Sequence, residues 1–340
     1  MNSTNPRRTW LSCATVMAAA LALPVVTPAY AQTIKWDMAE SFPATSLAGQ
    51  ASGDFARLVK EKTKGRIDIT VHYNGSIGIA ERDLLTSVEK GVVPLSSTIL
   101  DKVLSTMPVA GAQFFPFMAG SMRDGAAMWS AICPYASTTL GNMNQVLLFE
   151  SYGLPVGLWS KKPINDLSAL RTLKLRTNNP NTTKTFQNAG VSPTSLAWGD
   201  VPPALSTGVI DSVITSCESG ISARFPEQLK YYSRLNLEIG VFLVHMHKPT
   251  LDQLPAELKK AVMDSAAEAS KLAAERVASR LEENTKTMKS QGVTVVDVIQ
   301  PQFAQQLVAA GGFLMDDWKK KVGNDTATRI LAEFDKGRLK

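Results

Sequence analysis

Reactive side chains are scarce in this sequence, which contains three cysteines and three histidines among 340 residues. It also lacks the Gly-x-Ser-x-Gly, Walker and Gly-x-Gly-x-x-Gly patterns and any Cys-x-x-Cys pair. These absences remove the sequence basis for nucleophile-elbow hydrolases, P-loop nucleotide hydrolases, dinucleotide-dependent dehydrogenases and thioredoxin-like redox proteins. The sequence therefore favours binding over catalysis and predicts no cofactor.

The few histidines and cysteines form no complete reactive set. His245 and His247 would share one face of a strand and could hold a metal, but no cysteine or acidic cluster completes the ligands. We interpret His72 as a structural or surface residue. Cys217 could pair with a distant histidine as a nucleophile, but nothing in its context activates it. A Cys133–Cys217 disulfide and two buried free thiols both stay open, because sequence separation does not determine distance.

Long apolar runs are absent after the first 31 residues. Arg7 and Arg8 precede the charge-free segment Leu11–Val26, and Ala29–Ala31 supplies small residues where signal peptidase needs them. The apolar segment is shorter than the roughly 20 residues that a membrane-spanning helix requires. We therefore expect residues 1–31 to be a cleaved signal peptide and the mature chain to be periplasmic.

Neither sign of charge is in strong excess. The chain has 36 Lys and Arg against 30 Asp and Glu, a net charge of +6, and loss of two arginines with the signal peptide leaves +4. This excess is too small to predict a nucleic acid or a lipid surface as partner. We expect a monomer that binds no nucleic acid and is not itself embedded in a membrane.

Alternating strand and helix patterns indicate an α/β fold. Strands are predicted at Ile34–Met38 and Ile67–Tyr73, with a helix at Leu47–Lys62 between them. This βαβ arrangement predicts a parallel sheet covered by helices. The remaining predicted elements are a helix at Glu81–Lys90 and strands at Val92–Ser97, Val146–Tyr152, Leu173–Arg176, Ser212–Thr215 and Leu237–Val244. Because no linker interrupts the mature chain, two interwoven lobes are expected.

One helix is predicted to be unusually long. Pro255 suits a first helical position, and neither glycine nor proline occurs until Gly292. At 1.5 Å per residue such a helix would extend about 54 Å, further than one lobe is wide. Its alanine-rich apolar stripe favours close packing across both lobes over a coiled coil.

Two residues stand where α/β sheets place ligand groups. Arg176 ends a short apolar strand that opens onto a loop and a helix start, and its planar guanidinium matches a carboxylate. Trp198 precedes another helix and could form an aromatic wall. From position alone, a surface arginine is the favoured interpretation of Arg176, whereas core and aromatic wall are equally open for Trp198.

These segments together resemble the extracytoplasmic solute receptors of tripartite ATP-independent periplasmic (TRAP) transporters, the DctP-like family. The resemblance covers the mature chain and is most specific in its central block. The matching segments are Phe55–Ile69, Ser76–Gly78, Glu81–Arg82, Leu173–Asn178, Ala189–Trp198, Val201–Asp211 and Leu254–Pro255.

The resemblance implies a two-lobe periplasmic binding protein of class II-like type with a long helix spanning both lobes. It implies a first lobe of residues 32–153 plus about 243–282. The second lobe would comprise residues 154–242 plus about 283–340. Two such lobes would close over a ligand.

The resemblance also implies a set of ligand-binding residues. Arg176 would hold a ligand carboxylate and Trp198 would occupy the family's aromatic cleft position. The polar and cleft-facing positions are Thr215, Ser216, Glu218, Glu40, Ser41 and Glu81.

Three departures from the family pattern bear on the ligand. Asp211–Thr215 lacks the usual asparagine, so that contact becomes Thr215 or is lost. Val156 stands near the place of a second arginine found in some members, and Trp159 nearby is expected to face the ligand instead. These features favour a monocarboxylate with an apolar or aromatic body, while 2-oxo or hydroxy acids, dicarboxylates and sugar acids stay open.

The implied function is capture of a small organic carboxylate and its delivery to the membrane subunits of a TRAP permease. Two alternatives stay open: a ligand receptor for a sensor kinase, and a hydrolase or lyase built on a related two-lobe fold.

Overall fold

The computed structural model describes residues 33–339 except Asn165 and Val298. The predicted signal peptide, residues 1–31, lies outside the described residues. Within the described part of the chain, no helix combines the length and the hydropathy that crossing a membrane requires.

The described residues form ten strands and twelve α-helices. The strands are β1 (Ile34–Glu40), β2 (Ile67–His72), β3 (Leu95–Ile99), β4 (Gln145–Ser160), β5 (Leu175–Thr177), β6 (Thr194–Ser195), β7 (Ser212–Ser216), β8 (Tyr231–Ser233), β9 (Ile239–His247) and β10 (Thr294–Val296). The helices are α1 (Leu47–Lys62), α2 (Leu84–Glu89), α3 (Met122–Asn142), α4 (Leu167–Leu170), α5 (Pro180–Asn188), α6 (Val201–Ser206), α7 (Cys217–Ser222), α8 (Lys248–Asp252), α9 (Ala256–Ser290), α10 (Pro301–Gly311), α11 (Phe313–Val322) and α12 (Asn324–Arg338). Short 3-10 turns occur at Tyr73–Gly75, Glu81–Asp83, Leu100–Lys102, Pro108–Phe114, Trp198–Asp200 and Phe225–Glu227.

The predicted βαβ unit is confirmed, and α1 has the predicted bounds. Strand β1 pairs in parallel with β2 and β3, with Ile34 opposite Ile67. The predicted helix at Glu81–Lys90 is a 3-10 turn followed by the short helix α2. Strand β3 begins at Leu95 rather than at Val92, because Pro94 has no N–H to donate to a sheet.

Two antiparallel strands link the two halves of the molecule. The strand order is β2-β1-β3-β9-β4-β7-β5-β6, and β8 pairs with β4 and β10. The first part of β4, Gln145–Pro155, pairs with β9, whereas Val156–Ser160 pairs with β7. A register shift between Tyr152 and Pro155 separates these two parts. The first lobe is thus built on β2, β1, β3, β9 and the start of β4, and the second on the end of β4 with β7, β5 and β6.

Helix α9 braces both lobes, as predicted. Over its 35 residues it extends about 52 Å at 1.5 Å per residue. Leu258 to Ala273 contribute to the apolar cluster around Phe55 of α1, and Val277 and Met288 contribute to the cluster around Trp159. Small alanine side chains on this face allow the close approach that a two-lobe contact needs.

The C-terminal helices return to the first lobe. Helix α10 packs beside α5 in the second lobe through Phe303 and Leu307, whereas Trp318 and Phe334 of α11 and α12 join the cluster around Trp129 of α3. The predicted second lobe included residues 313–338. These contacts instead favour assigning residues 313–338 to the first lobe.

Two leucines of α9, one buried and one partly exposed, test how this helix packs on the apolar clusters. Leu258 is 4% exposed and Leu281 is 37% exposed. We expect Leu258→Ala to lower the free energy of unfolding by about 2–5 kcal/mol, because it leaves a cavity in the apolar cluster. Leu281→Ala should cost less than about 1 kcal/mol. Chemical denaturation measures both, and equal losses would contradict this packing.

Candidate functional site

A cavity of about 700 Å³, including the space open to solvent, lies where β4 and β9 connect the lobes. Its apolar wall consists of Phe42, Leu47, Ala48, Ile99, Phe114, Leu154, Val156, Trp198 and Phe242. Its polar lining consists of Ser46, Glu81, Asp101, Lys102, Arg176, Asn178, Thr215, Ser216, Glu218, Ser219 and Glu238.

Hydrogen bonds between the lobes close the cleft around this cavity. The Lys102 Nζ atom donates to the Asn178 carbonyl oxygen at 2.6 Å, and Asn178 Nδ2 donates to Asp101 Oδ2 at 3.3 Å. On another side of the cavity, the Leu47 backbone N–H donates to Glu218 Oε1 at 3.2 Å. The cavity is therefore the closed form of a cleft whose walls come from both lobes.

Arg176 lies on β5 with its side chain buried and its guanidinium fixed by carbonyl groups. Its Nε and Nη2 atoms donate to the Leu196 oxygen at 3.2 and 2.8 Å, and Nη1 donates to the Ile214 oxygen at 3.3 Å. A guanidinium has five N–H groups, so one N–H remains on each terminal nitrogen. Two such donors side by side match the two oxygens of a carboxylate.

Among the residues that the structure describes, Arg176 has no close anionic partner. The ion pairs among the described residues do not include it, although Lys102 and Arg280 beside the same cavity each have one. Burial lowers the pKa of the guanidinium to about 10, and the charges of Asp101 and Glu81 oppose that shift. At neutral pH the group remains a buried cation, which is costly without a counter-charge.

Trp198 forms part of an aromatic wall, as its sequence position suggested. Its ring stacks on Phe42 of the first lobe at a centroid distance of 6.0 Å, and Phe42 meets Phe242 edge-on at 5.2 Å. The Arg176 guanidinium carbon lies 5.8 Å from the Trp198 ring centroid. The aromatic surface thus begins next to the cation.

The structure brings four other predicted residues to the cavity. Thr215 and Ser216, at the end of β7, and Glu218, in α7, line it from the second lobe, and Glu81 lines it from the first. Burial raises the pKa of Glu218, while Arg280 lowers it. Glu218 also accepts the hydrogen bond from Leu47, so it holds the lobes together.

The prediction that Trp159 faces the ligand is wrong. Trp159 is fully buried in the second-lobe core, where its Nε1 atom donates to the Ser216 oxygen at 3.1 Å. Its ring packs against Phe225 and Tyr232. Side chains alternate along β4, so Val156 and Trp159 point to opposite faces; Val156 lines the cavity.

Glu40 and Ser41 lie beside the cavity rather than in its wall. Glu40 is buried behind Phe42, where it accepts hydrogen bonds from the Phe42 N–H at 2.9 Å and the Ser52 hydroxyl at 2.7 Å. Burial raises the pKa of Glu40 to about 7. Ser41 lines a wider outer groove that shares Glu81 and Trp198 with the cavity.

Sequence reasoning missed an acidic group of the site. Asp101 follows β3, Asn178 follows β5 and Glu238 precedes β9, and all three line the cavity. Glu238 accepts hydrogen bonds from Asn178 and Asn179, and burial raises its pKa to about 8. In the structure each of the three lies just outside a strand, within two residues of its end, but the predicted strands Val92–Ser97 and Leu237–Val244 did not place Asp101 and Glu238 there.

The structure shows the surroundings of His245 and the state of Cys133 and Cys217. His245 is buried and its Nε2 atom lies 2.8 Å from the Thr98 hydroxyl, and burial lowers its pKa to about 3. Cys133 and Cys217 are free thiols, which answers the question left open by the sequence. Among residues 33–339, apart from 165 and 298, no three His, Cys, Asp or Glu side chains form a group that could hold a metal.

Several solute receptors are similar to this chain in sequence and fold. A "Solute-binding protein" of Verminephrobacter eiseniae is 28% identical over 296 residues, which are 83% of this chain and 84% of that protein. A Bordetella pertussis extracytoplasmic solute receptor binding pyroglutamic acid is 28% identical with a TM-score of 0.84, covering 89% of this chain and 100% of that one. A marine metagenome TRAP solute-binding protein specific for pyroglutamate is 25% identical with a TM-score of 0.83, covering 90% and 99%.

The family profile described as "Bacterial extracellular solute-binding protein, family 7", DctP, matches residues 38–321. This span includes both lobes, the long helix and every residue that lines the cavity. The chain belongs to the bacterial extracellular solute-binding protein family 7.

Proposed function

We propose that this chain captures a small monocarboxylate in the closed cleft and that Arg176 binds its carboxylate. The observation that carries the proposal is a buried guanidinium with a free N–H on each terminal nitrogen and no close anion of its own. A carboxylate in the cavity supplies the missing counter-charge and accepts both hydrogen bonds. Burial of the partly apolar ligand against the aromatic wall adds affinity.

The lining of the cavity favours one acid group rather than two. Val156 stands near the place of the second arginine that the family resemblance gives to some members, and four acidic side chains line the cavity. A second ligand carboxylate would find no second arginine at Val156 and would lie among these acidic side chains. The two pyroglutamate-binding relatives, at 28% and 25% identity, support a compact, ring-bearing monocarboxylate.

The contacts between the lobes suggest how binding drives closure. A ligand that touches both Arg176 and first-lobe residues such as Phe42 stabilises the closed form, because those contacts are absent when the lobes separate. The closed receptor then delivers its ligand to a TRAP permease in the membrane. We further propose that the chain is exported by its N-terminal signal to the periplasm and that it does not transform the ligand.

The lobe boundaries are part of the same proposal. The first lobe comprises residues 32–153 plus about 243–282, and the second comprises residues 154–242 plus about 283–312. The contacts of α11 and α12 with α3 support moving residues 313–338 to the first lobe.

A thermal-shift screen of organic acids tests binding and its chemical outcome. The acid that fits should raise the free energy of unfolding by about 2.7 kcal/mol at a hundred times its Kd. Mass spectrometry after long incubation should recover that acid unchanged. Conversion of the acid in proportion to the protein would support a hydrolase or lyase instead.

Substitution of Arg176 tests the carboxylate contact. We expect Arg176→Lys and Arg176→Ala to weaken binding by about 2–5 kcal/mol, roughly 30-fold to several thousand-fold, measured by calorimetry. Lysine keeps a positive charge but cannot reproduce the planar fork. Arg171→Ala is the matched control, because Arg171 also donates to a backbone oxygen, that of Ala189, but lies outside the cavity. A loss below threefold in both Arg176 variants, with melting temperatures retained, would remove Arg176 from the site.

The two tryptophans should respond differently. Trp198→Ala should weaken binding by about 1.5–3 kcal/mol, roughly 10- to 150-fold, because the ligand loses apolar contact area. Trp159→Ala should instead lower the free energy of unfolding by about 3–5 kcal/mol, because it empties the second-lobe core. Calorimetry and chemical denaturation of both variants separate the two effects. Unchanged affinity in Trp198→Ala would exclude it from the binding wall.

A further inference from the structure

A buried carboxyl group lies beside the cavity at the connection between the two lobes. Glu238 immediately precedes β9, is 2% exposed and lines the cavity. Its backbone oxygen accepts a hydrogen bond from the Val156 N–H at 2.9 Å, at the start of the β4 segment that pairs with β7. The backbone therefore holds Glu238 in place where the chain passes from one lobe to the other.

The hydrogen-bond donors to this carboxyl group are neutral and lie at the start of α5. Asn178 Nδ2 and Asn179 Nδ2 donate to Glu238 Oε1 at 2.9 and 2.8 Å, and the Thr182 hydroxyl lies 3.4 Å from Oε2. Among the ion pairs of the described residues, none includes Glu238. A buried carboxyl group without a cationic partner favours its neutral, protonated form.

The first lobe completes these surroundings only while the cleft is closed. Asn178 Nδ2 also donates to Asp101 Oδ2 at 3.3 Å, so one amide group joins two carboxyl groups, one from each lobe. Nearby, Asn181 Nδ2 donates to the Gly111 oxygen of the first lobe at 3.4 Å. Opening the cleft breaks both contacts, admits water to Glu238 and moves Asp101 away from it.

The charged groups that act around Glu238 come mainly from the first lobe. Asp101 acts on it directly, and Lys102, 3.7 Å from Asp101, and Arg176 lessen the negative charge of Asp101. The other segments beside Glu238 place no charge against it: Leu154–Val156 of β4, the turn Pro108–Phe114, and α5, whose Lys184 is exposed. The interaction of Glu238 with Asp101 is therefore the electrostatic contact that closure forms.

Closure raises the proton affinity of this carboxyl group. In the closed form burial raises the pKa of Glu238 to about 8; the hydrogen bonds from Asn178, Thr182 and Asn179 oppose that shift, and the charge of Asp101 adds to it. When the cleft opens, water reaches the group and Asp101 moves away, so both causes of the raised pKa weaken. At neutral pH the closed form therefore binds more protons than the open form, and acid favours closure.

We propose that Glu238, with Asp101 across the closed cleft, forms a closure-linked proton site: the protein takes up a proton from solvent when it closes over its ligand and releases that proton when it opens. The inference rests on the proposed function, since ligand binding drives closure. Affinity is then highest in acid, where the carboxyl group is protonated in both forms, and falls as the pH rises through about 8. Alkaline conditions promote release of the ligand.

Calorimetry in buffers of different ionisation enthalpy counts the protons in the wild-type protein. The probe is L-pyroglutamate, followed by the most stabilising acid of the thermal-shift screen that has no group titrating between pH 6 and 8.5. In phosphate and in Tris at pH 7, the difference in binding enthalpy should correspond to uptake of about 0.5–1 proton. Between pH 6 and pH 8.5 the Kd should rise roughly 10- to 100-fold.

The variant Glu238→Gln assigns the proton to one residue. Its neutral amide imitates the protonated carboxyl group, so uptake should fall below about 0.2 proton and the Kd should change less than about threefold over the same pH range. At pH 8.5 this variant should bind more tightly than the wild-type protein, which a loss of structure could not produce.

Glu40→Gln is the matched control. Glu40 is also buried, and burial raises its pKa to about 7. Its hydrogen-bond donors, the Phe42 N–H and the Ser52 hydroxyl, belong to its own lobe, so its hydrogen bonds persist when the lobes separate. Proton uptake and the pH dependence of the Kd should match those of the wild-type protein.

The possible failures are distinguishable. Binding without proton uptake in the wild-type protein would overturn the inference and leave the carboxylate receptor intact; this measurement needs no variant, so it holds even if Glu238→Gln does not fold. Uptake that persists in Glu238→Gln, or that disappears in Glu40→Gln, would also overturn it, since another group would carry the proton. If no monocarboxylate binds, both the inference and the proposed function are wrong.

Discussion

The site depends on one interaction, the support of the Arg176 guanidinium by the carbonyl groups of Leu196 and Ile214. These bonds hold the buried cation in the wall of the cavity and leave one N–H on each terminal nitrogen. Carbonyl groups orient the guanidinium without neutralising it, whereas a protein carboxylate would compete with the ligand. The cost of burying this charge is recovered only when an anion enters. In the proposed function, affinity is thereby coupled to the presence of an acid group, and Trp198 beside the cation adds the apolar surface.

The architecture around that cation explains why binding and closure occur together. The β4 and β9 strands connect the lobes at the floor of the cavity, and α9 packs on both. Closure contacts surround the ligand space: Lys102 and Asp101 meet Asn178 on one side, and Glu218 meets the start of α1 on another. Two of these residues, Asp101 and Asn178, also line the cavity. The same polar residues therefore take part in closing the cleft and in forming its wall.

Much of this could be predicted from the sequence, for physical reasons that also mark its limits. Hydrophobic periodicity located α1, α9 and the first βαβ unit, because these elements bury regular apolar faces. The position of Arg176 at the end of an apolar strand located the cation. Trp159 was assigned wrongly because an aromatic residue near a strand end does not reveal which face it occupies; the register of β4 with β7 decides that. Asp101 and Glu238 were missed because they approach Arg176 only through pairing between distant strands. The return of α11 and α12 to the first lobe likewise depends on contacts that no local pattern encodes.

The most direct test of the central claim is a crystal structure of the protein with the acid that most stabilises it. The account predicts the ligand carboxylate within about 2.7–2.9 Å of the Arg176 Nη1 and Nη2 atoms, with Leu196 and Ile214 still accepting from the guanidinium. A carboxylate bound elsewhere in the cleft, with Arg176 contacting only protein or water, would contradict it.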